Sequence, residues 1–249
     1  MSDPTKRRGD DWWRHVILWL AVAVAVFPPL YVITAAFNAD QTLSGTSFLP
    51  RAFTLENFKG LFVQKEGGAE VFFLRWFRAS IVIAVLNAFF TVFIGALSAY
   101  AFSRFRFRGR RMGMLFLLLI QMFPGLLNLV AIYLIVLRTG EVVPALGINK
   151  LTALLLVYLS GAMSINLWLM KGFFDSIPSE LDEAARVEGA SALQVLWKVY
   201  VPLARPTYLA YGLVSVSHHW NNFLWPLVVS NSVESRPITV GLQVFSGSD

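Results

Sequence analysis

One uncharged stretch decides the fold: residues 79–103 read ASIVIAVLNAFFTVFIGALSAYAFS and contain no acidic or basic side chain. A bilayer core is about 30 Å thick, so a helix rising roughly 1.5 Å per residue needs about 20 apolar residues to cross it. Four further segments meet that length, namely 16–38, 112–137, 151–171 and 206–229. Five such helices leave too little polar surface for a soluble protein. We therefore predict an all-α integral membrane protein with five spans.

The composition agrees with lipid as the main solvent. Hydrophobic residues make up 56% of the 249 and charged residues 14%, with a mean hydropathy of +0.60, whereas a soluble domain has about 25% charged residues. Cysteine is absent, which excludes disulfides and thiolate metal sites. The net charge of +6 does not predict nucleic-acid binding, because basic residues at the ends of apolar segments are what membrane topology requires.

The positive charges predict the orientation. Residues 104–111 carry five arginines in eight positions, whereas residues 138–150 carry two basic residues in thirteen. Basic residues accumulate in short cytoplasmic loops, so the arginine-rich loop, the N-terminal segment 1–15 and the connection 172–205 are predicted to be cytoplasmic. Segment 39–77 is then extracytoplasmic. The prediction is a multi-pass protein of the bacterial cytoplasmic (inner) membrane, with a first transmembrane helix at 16–38 and a single core at 79–245.

The cytoplasmic connection 172–205 is predicted to begin with a short helix. Ser179 caps it, Asp182 is the acid of a capping box, and Gly189 occupies the left-handed position at its end. Its centre, Ala184-Ala185, is small, and its rim is charged. Such a helix can enter a groove on another protein closely. A solvated loop that joins two spans fits these residues equally well.

A second short helix follows in the same connection. Ser191 and Gln194 form a capping box at its start, and Pro202 ends it. Apolar residues recur at i, i+3, i+4 and i+7, which predicts one apolar stripe made of Leu193, Leu196, Trp197 and Tyr200.

The spacing of this connection resembles a family signature. It contains Glu183-Ala184-Ala185, three residues, Gly189, nine residues and then Val199-Tyr200-Val201-Pro202. This resembles the signature of permeases of binding-protein-dependent ATP-binding cassette (ABC) importers, in which Glu-Ala-Ala, Gly and an aliphatic-x-Leu-Pro ending occur at these spacings. Valines at 199 and 201 replace the more usual isoleucine and leucine. Other stretches resemble the carbohydrate branch of the family, with its maltose-type and glycerol-phosphate-type permeases; they are residues 54–58, 98–104, 109–110, 123–124, 173–178 and 220–226.

The resemblance implies a type I ABC importer transmembrane domain that moves a sugar or sugar-like solute. It implies four kinds of partner: a second permease subunit that forms a heterodimer with this one, two ABC ATPase subunits, an extracytoplasmic solute-binding protein and membrane lipid. It also implies that an ATPase cleft receives the coupling residues, which are Glu183, Ala184, Ala185, Gly189 and Pro202. The chain has no Gly-x4-Gly-Lys-Ser/Thr phosphate loop. We therefore expect a transport subunit that is not an enzyme and binds no cofactor, with ATP used by the partner ATPases.

The family core has six helices, and here the usual last helix is missing. Residues 230–249 include Glu234, Arg236 and Pro237 and cannot form another span. Five spans would leave the C-terminus outside, so we expect a chain shortened relative to a working permease.

Polar residues at membrane depth are candidates for the solute path. The densest group lies in the fifth predicted span, and its candidate residues are His218, His219, Trp220, Asn221 and Asn222. Ser215, Ser217 and Trp225 lie close to them in the sequence. Amides with flat apolar rings suit sugars. The alternative is that these side chains only bond neighbouring helices, which we also predict for the isolated Asn87, Gln121, Asn128 and Asn166. Prolines at 28–29, 124 and 226 interrupt spans and can bend them; the alternative is that neighbouring groups accommodate each proline.

The sequence also bears on three other functions. His218-His219 suggests an intramembrane metalloenzyme, but adjacent helical residues point about 100° apart and no His-Glu-x-x-His spacing occurs, so no metal is expected. A secondary carrier or channel usually has a central charge within a span, and none occurs here. An ABC importer permease for a non-sugar solute stays open.

Overall fold

The computed structural model describes residues 12–39, 52–62, 72–163 and 165–243. These residues are helical apart from turns and one isolated antiparallel bridge between Asn38 and Phe53. Most of the predicted segment 1–15, much of 39–77 and the end of the predicted core after residue 243 lie outside the described residues. The chain divides into two compact units, 1–71 and 72–249.

The first unit contains the first predicted span. Helix α1 (Trp12–Ala36) is long and apolar enough to cross a membrane. It runs through the paired prolines at 28–29 without a break, so these prolines follow the alternative of accommodation. The side-chain amide of Asn57, in the short helix α2 (Glu56–Lys59), donates to the carbonyls of Ala36 at 3.0 Å and Asn38 at 2.9 Å. These bonds satisfy carbonyls that a helix end leaves unpaired.

Helix α3 (Phe73–Arg104) is the central element of the second unit. It contains the predicted span 79–103 and begins six residues earlier. Its buried face carries mainly small residues at three- and four-residue spacing, which allow neighbouring helices to approach closely. Helices α6 (Leu151–Leu159), α7 (Ile165–Asp175) and α11 (Arg205–Asn221) pack on it. The small and polar members of this face include Ala79, Ser80, Ala84, Asn87, Ala88, Thr91, Gly95, Ala96 and Ala99.

Each of the other three predicted spans is broken into two helices. Segment 112–137 forms α4 (Arg110–Met122) and α5 (Gly125–Val142), bent by 102°. Pro124 forces the preceding residue Phe123 into extended backbone, with φ −72° and ψ 129°. Of the described helices, α1 and α3 can each cross a membrane by length and composition, and α4 with α5 is a third span if counted as one.

Breaks also divide the last two predicted spans. Segment 151–171 is α6 and α7, separated by a turn at Ser160–Ala162. Segment 206–229 is α11 and α12 (Leu224–Val229), separated at Asn222 and Phe223. A proline ring clashes with the carbonyl four residues earlier in a continuous helix, and for Pro226 that residue is Asn222. The helix therefore ends there and restarts.

The coupling connection and the C-terminal residues complete the second unit. The connection holds α8 (Glu180–Val187), α9 (Ala192–Val195), a π-helical turn at Leu196–Tyr200, and α10 (Val201–Leu203). Residues 230–243 form no span, as predicted, and instead fold back on α3 through α13 (Ile238–Gly241). The Trp76 indole donates to the carbonyl of Val233 at 2.9 Å, and the Ser80 hydroxyl accepts from the Ile238 amide at 2.8 Å.

Candidate functional site

The first predicted helix of the connection exists as α8, and Gly189 has the predicted left-handed conformation, with φ +83°. The amide of Ala190 donates to the carbonyl of Ala185 at 2.9 Å and that of Gly189 to Arg186 at 3.0 Å. This pattern is the Schellman motif, which closes a helix at a left-handed residue. Glu183 and Ala184 are exposed on α8 and Ala185 is half-buried. The small, charged-rimmed face is therefore presented outward.

The predicted capping box of this helix is wrong. Ser179 makes no capping hydrogen bond, and the Asp182 carboxylate points inward, where its side chain is 8% exposed. There Asp182 Oδ2 lies 3.2 Å from Arg104 Nε and accepts a hydrogen bond from the Tyr200 hydroxyl at 2.9 Å. A buried carboxylate needs a charged or hydrogen-bonding partner, and Arg104 and Tyr200 are stronger partners than a backbone amide.

The Tyr200 hydroxyl stays a donor to this carboxylate. Burial, and then the hydrogen bond to Asp182, raises the pKa of Tyr200 above its ordinary value. A phenol next to a carboxylate in a desolvated site keeps its proton because ionisation would place two negative charges together.

The second predicted helix exists, but its apolar stripe divides. The capping box of Ser191 and Gln194 is confirmed: the Ser191 amide donates to Gln194 Oε1 at 2.7 Å, and the Gln194 amide donates to Ser191 Oγ at 3.4 Å. Leu196 and Tyr200 are fully buried, whereas Leu193 is 60% and Trp197 45% exposed.

The division follows the i, i+4 pairs of the helix: Leu196 and Tyr200 lie on one side of the stripe, and Leu193 and Trp197 on the other. A π-helical turn spans Leu196–Tyr200, in which the Val201 amide donates to the carbonyl of Leu196, five residues earlier. Pro202, which follows it, has no amide hydrogen to continue the α-helical pattern. The helical backbone ends at Leu203, one residue after the predicted end.

The structure brings the arginine-rich loop and the connection 172–205 to one end of the unit, here called the coupling end. Arg104 contacts Asp182, and the Ser103 hydroxyl donates to Asp175 Oδ1 at 2.6 Å. Apolar residues from α3, α7 and the connection fill the space above them; they are Ala99, Tyr100, Leu167, Met170, Phe174, Val195, Leu196 and Tyr200. Both segments therefore lie on the same side, in agreement with the charge pattern.

A cavity of about 370 Å³ lies between α3, α6, α7 and α11, within the range of roughly 300–1,000 Å³ typical of ligand sites. It lies where two predicted spans break. Ser160 and Gly161 come from the turn after α6, and Asn222 comes from the turn before α12. Broken helices expose backbone polar groups that can contact a solute inside a membrane protein.

The described lining of this cavity mixes apolar and polar side chains and carries no acidic, lysine or arginine side chain. It consists of Thr91, Val157, Tyr158, Ser160, Gly161, Asn166, Tyr211, Val214, Ser215, His218, His219, Asn222 and Trp225. The hydroxyls of Thr91 and Tyr158 are themselves buried and have no hydrogen-bond partner among the described residues. The polar groups that can meet a bound molecule are therefore the more exposed ones, such as Ser160, Asn166 and Asn222.

Three of the five predicted solute-path residues line the cavity: His218, His219 and Asn222. The other two do not. Trp220 packs edge-on against Phe77, with ring centroids 5.6 Å apart, and the side-chain amide of Asn221 donates to the carbonyl of Ser217 at 2.8 Å. Trp220 therefore follows the alternative of packing between helices, whereas Asn221 bonds only within α11. Consecutive residues on a helix point about 100° apart, so they meet different surroundings.

The isolated polar residues fall into two groups. The side-chain amide of Asn87 donates to the carbonyl of Ile83 at 3.0 Å within α3, and that of Gln121 donates to the carbonyl of Leu117 at 3.2 Å within α4. Asn166, in contrast, lines the cavity. Thr91 was not singled out from the sequence, although it lies four residues after Asn87 on the small-residue face of α3.

The His218-His219 pair does not assemble a metal site among the described residues. No group of three His, Cys, Asp or Glu side chains there is placed to hold a metal ion. His219 Nδ1 lies 2.7 Å from the carbonyl of Ser215, and its ring lies 4.7 Å from the Tyr158 ring.

Residues 91–246 match a protein family described as the binding-protein-dependent transport system inner membrane component. The chain belongs to this family. The permease is 31% identical over 245 residues to the maltodextrin transport system permease protein MdxG of Bacillus subtilis, covering 98% of this chain and 84% of that protein. It is 31% identical over 228 residues to the galactooligosaccharides transport system permease protein GanQ of the same organism, covering 92% and 77%.

A solved structure agrees with this family. The permease resembles a chain of a bacterial ABC transporter described as involved in the import of the acidic polysaccharide alginate, with a TM-score of 0.77 and 25% identity over 98% of this chain and 81% of that one. The predicted all-α type I ABC importer fold is confirmed, and the protein is the membrane permease subunit of an ATP-driven importer.

Proposed function

We propose that this permease conducts a sugar or sugar-like solute through the cavity at the two helix breaks. The carrying observation is that the described cavity lining presents hydroxyl, amide and aromatic side chains at two helix breaks, with no acidic, lysine or arginine side chain. A neutral, hydroxyl-rich solute can exchange hydrogen bonds with such groups and stack on Trp225. The names of MdxG and GanQ, which refer to maltodextrin and galactooligosaccharides, support the same solute class.

The proposed ATPase contact is the exposed face of α8 with the turn at Gly189. Glu183, Ala184, Ala185 and Gly189 lie on or beside this surface, and Pro202 shapes the helix that follows it. ATP binding and hydrolysis belong to two partner ATPase subunits, and this chain binds no cofactor itself. A second permease and an extracytoplasmic solute-binding protein complete the assembly.

In the membrane, the coupling end faces the cytoplasm. The five arginines at 104–111 and the coupling connection share that end, and basic loops favour the cytoplasmic side. The same rule places the N-terminus in the cytoplasm. ATP-driven closure of the ATPases moves α8, the spans open outward to the binding protein, and hydrolysis returns them to the inward-open state.

The solute class is tested by uptake competition in vesicles that contain the complete importer. Neutral oligosaccharides are expected to compete with a labelled maltodextrin, whereas polyol phosphates and uronate oligosaccharides compete weakly, because the described cavity lining offers no lysine or arginine to pair with an anion. Stronger competition by the anions would contradict the neutral-solute proposal. Uptake without ATPase subunits would favour a self-contained carrier instead.

The path through the cavity is tested by filling it. Gly161 lies in the cavity wall, and a Cβ there meets nothing closer than the Tyr158 carbonyl at 3.5 Å, so Gly161→Leu should fold normally and occupy the cavity. We expect uptake to fall about tenfold or more, equivalent to about 1.4 kcal/mol. The matched control is Gly212→Leu on α11, where a Cβ meets nothing within 4 Å and which does not line this cavity. Equal uptake by both variants would place the solute path elsewhere.

A further inference from the structure

Arg104, the last residue of α3, contacts several elements of the coupling end. The sequence predicted only that it belongs to a charged loop. Its side chain is only 12% exposed, and Nε lies 3.2 Å from Asp182 Oδ2 on α8. The guanidinium also lies over the Tyr200 ring, 5.1 Å from its centroid. Tyr200 in turn donates to the same Asp182 oxygen. One arginine therefore contacts both helices of the coupling connection.

The same side chain holds the end of α7. Arg104 Nη2 donates to the carbonyl of Phe174 at 2.9 Å and to that of Ile177 at 2.5 Å. Arginine can make all these contacts because its planar guanidinium presents five donors in fixed directions, which lysine cannot do. Helix ends leave carbonyls unpaired, so this bond set orders the turn that leads from α7 into α8.

A second polar contact joins α3 to α7 beside the first. Asp175 accepts from Ser103 at 2.6 Å and pairs with Lys171. Burial acts to raise the pKa of Asp175, but the hydrogen bonds from Lys171 and Ser103 outweigh it and hold the pKa below its ordinary value. Asp175 is therefore ionised, and its contacts position α7 but do not reach α8.

The buried ion pair is not explained by stability alone. Asp182 Oδ1 has no hydrogen-bond partner among the described residues, and an incompletely bonded buried pair is often no more stable than apolar residues of similar size. Such a pair does fix direction and register, because the charge can be satisfied in only one arrangement.

Helix α3 continues from this contact to the cavity. Thr91 lies thirteen residues before Arg104 in the same helix, a distance of about 20 Å at 1.5 Å per residue. We propose that Arg104 is a positioning residue that fastens the coupling helix α8 to the end of α3, so that displacement of α8 is transmitted along α3 to the cavity wall. This proposal rests on the proposed function, in which α8 contacts the ATPase.

The test compares solute uptake per ATP hydrolysed in the complete importer, reconstituted in vesicles. Arg104→Gln and Asp182→Asn are each expected to lower this ratio about tenfold, within the roughly 5- to 150-fold range of couplings between sites, while ATP hydrolysis continues. Arg104→Lys should recover part of the ratio, because it keeps the charge but not the fork of donors. Arg108→Gln, at an exposed arginine of the same loop, should leave the ratio unchanged.

A double variant separates positioning from folding. Arg104→Met with Asp182→Leu removes both charges, so it leaves no unpaired buried ion and should assemble even if the single variants do not. A low ratio in an assembled, thermally stable double variant supports the positioning role. If the pair were only structural, apolar packing would substitute for it and the ratio would stay at the wild-type value. A wild-type ratio in that variant would overturn it.

The two proposals fail differently. If the wild-type complex shows no ATP-dependent uptake, the proposed function is wrong. If the wild type is coupled and Gly189→Leu is uncoupled, but the Arg104 and Asp182 variants keep the wild-type ratio, only the role of Arg104 is wrong.

Discussion

Replacing Gly189 with leucine is expected to lower solute uptake by the complete importer about tenfold or more, while ATP hydrolysis persists and the chain remains assembled. Gly189 has φ +83°, and a Cβ there meets nothing within 4 Å. The cost is therefore conformational, about 1–2 kcal/mol for a side chain in left-handed backbone, which is too small to unfold the bundle. The leucine side chain would also protrude from the surface proposed to enter the ATPase cleft.

The measurement is uptake and ATP hydrolysis on the same vesicles, with assembly checked by co-purification. We expect uptake per ATP to fall by a factor of about ten or more. Gly189→Asn is the matched control, since asparagine tolerates left-handed backbone better than other non-glycine residues, and it should retain more uptake than the leucine variant. If Gly189→Leu kept wild-type uptake, the proposal that this surface docks into the ATPase would be wrong.

Replacing Gly241 with alanine is expected to destabilise the chain strongly, although it adds only one methyl group. A Cβ at Gly241 would lie 2.3 Å from the ring of Trp76. That ring cannot move aside easily, because Trp76 is fully buried and its indole is bonded to Val233. Overpacking costs typically about 1–3 kcal/mol, and we expect the upper end of that range.

The check is the free energy of unfolding of the purified chain in a detergent titration. Gly212→Ala is the control: it is also a helical glycine, but a Cβ there meets nothing within 4 Å. Alanine is favoured over glycine in a helix, so the control should be as stable as the wild type or slightly more stable. If Gly241→Ala matched the control, α13 would not pack on α3 in the folded protein.

Local chemistry made several features predictable. Gly189 and the Ser191–Gln194 box depend on backbone geometry within a few residues, and the structure has both. The charge pattern placed residues 104–111 and 172–205 on one side, and their contact through Arg104 agrees with that. Pro124 and Pro226 were expected to interrupt spans, and the helices break beside both.

Features that depend on distant residues were predicted poorly. Asp182 was assigned to a capping box because Ser179 lies three residues earlier, whereas a buried arginine 78 positions away in the sequence is its partner. Only half of the apolar stripe of the second helix is buried, namely Leu196 and Tyr200. Periodicity shows that apolar residues share a face of a helix, but neighbouring helices decide which part of that face they cover.

The sequence by itself determined the class of protein: long uncharged segments require a membrane, and the spacing from Glu183 to Pro202 carries the importer signature. Only the tertiary structure decided which polar residues share a cavity, and that Thr91, Tyr158 and Asn222 face it while Trp220 and Asn221 do not. Hydropathy and turn chemistry are local properties of the chain. The direction of a side chain toward a cavity depends instead on how separate helices break and pack, and residues far apart in the sequence set that arrangement.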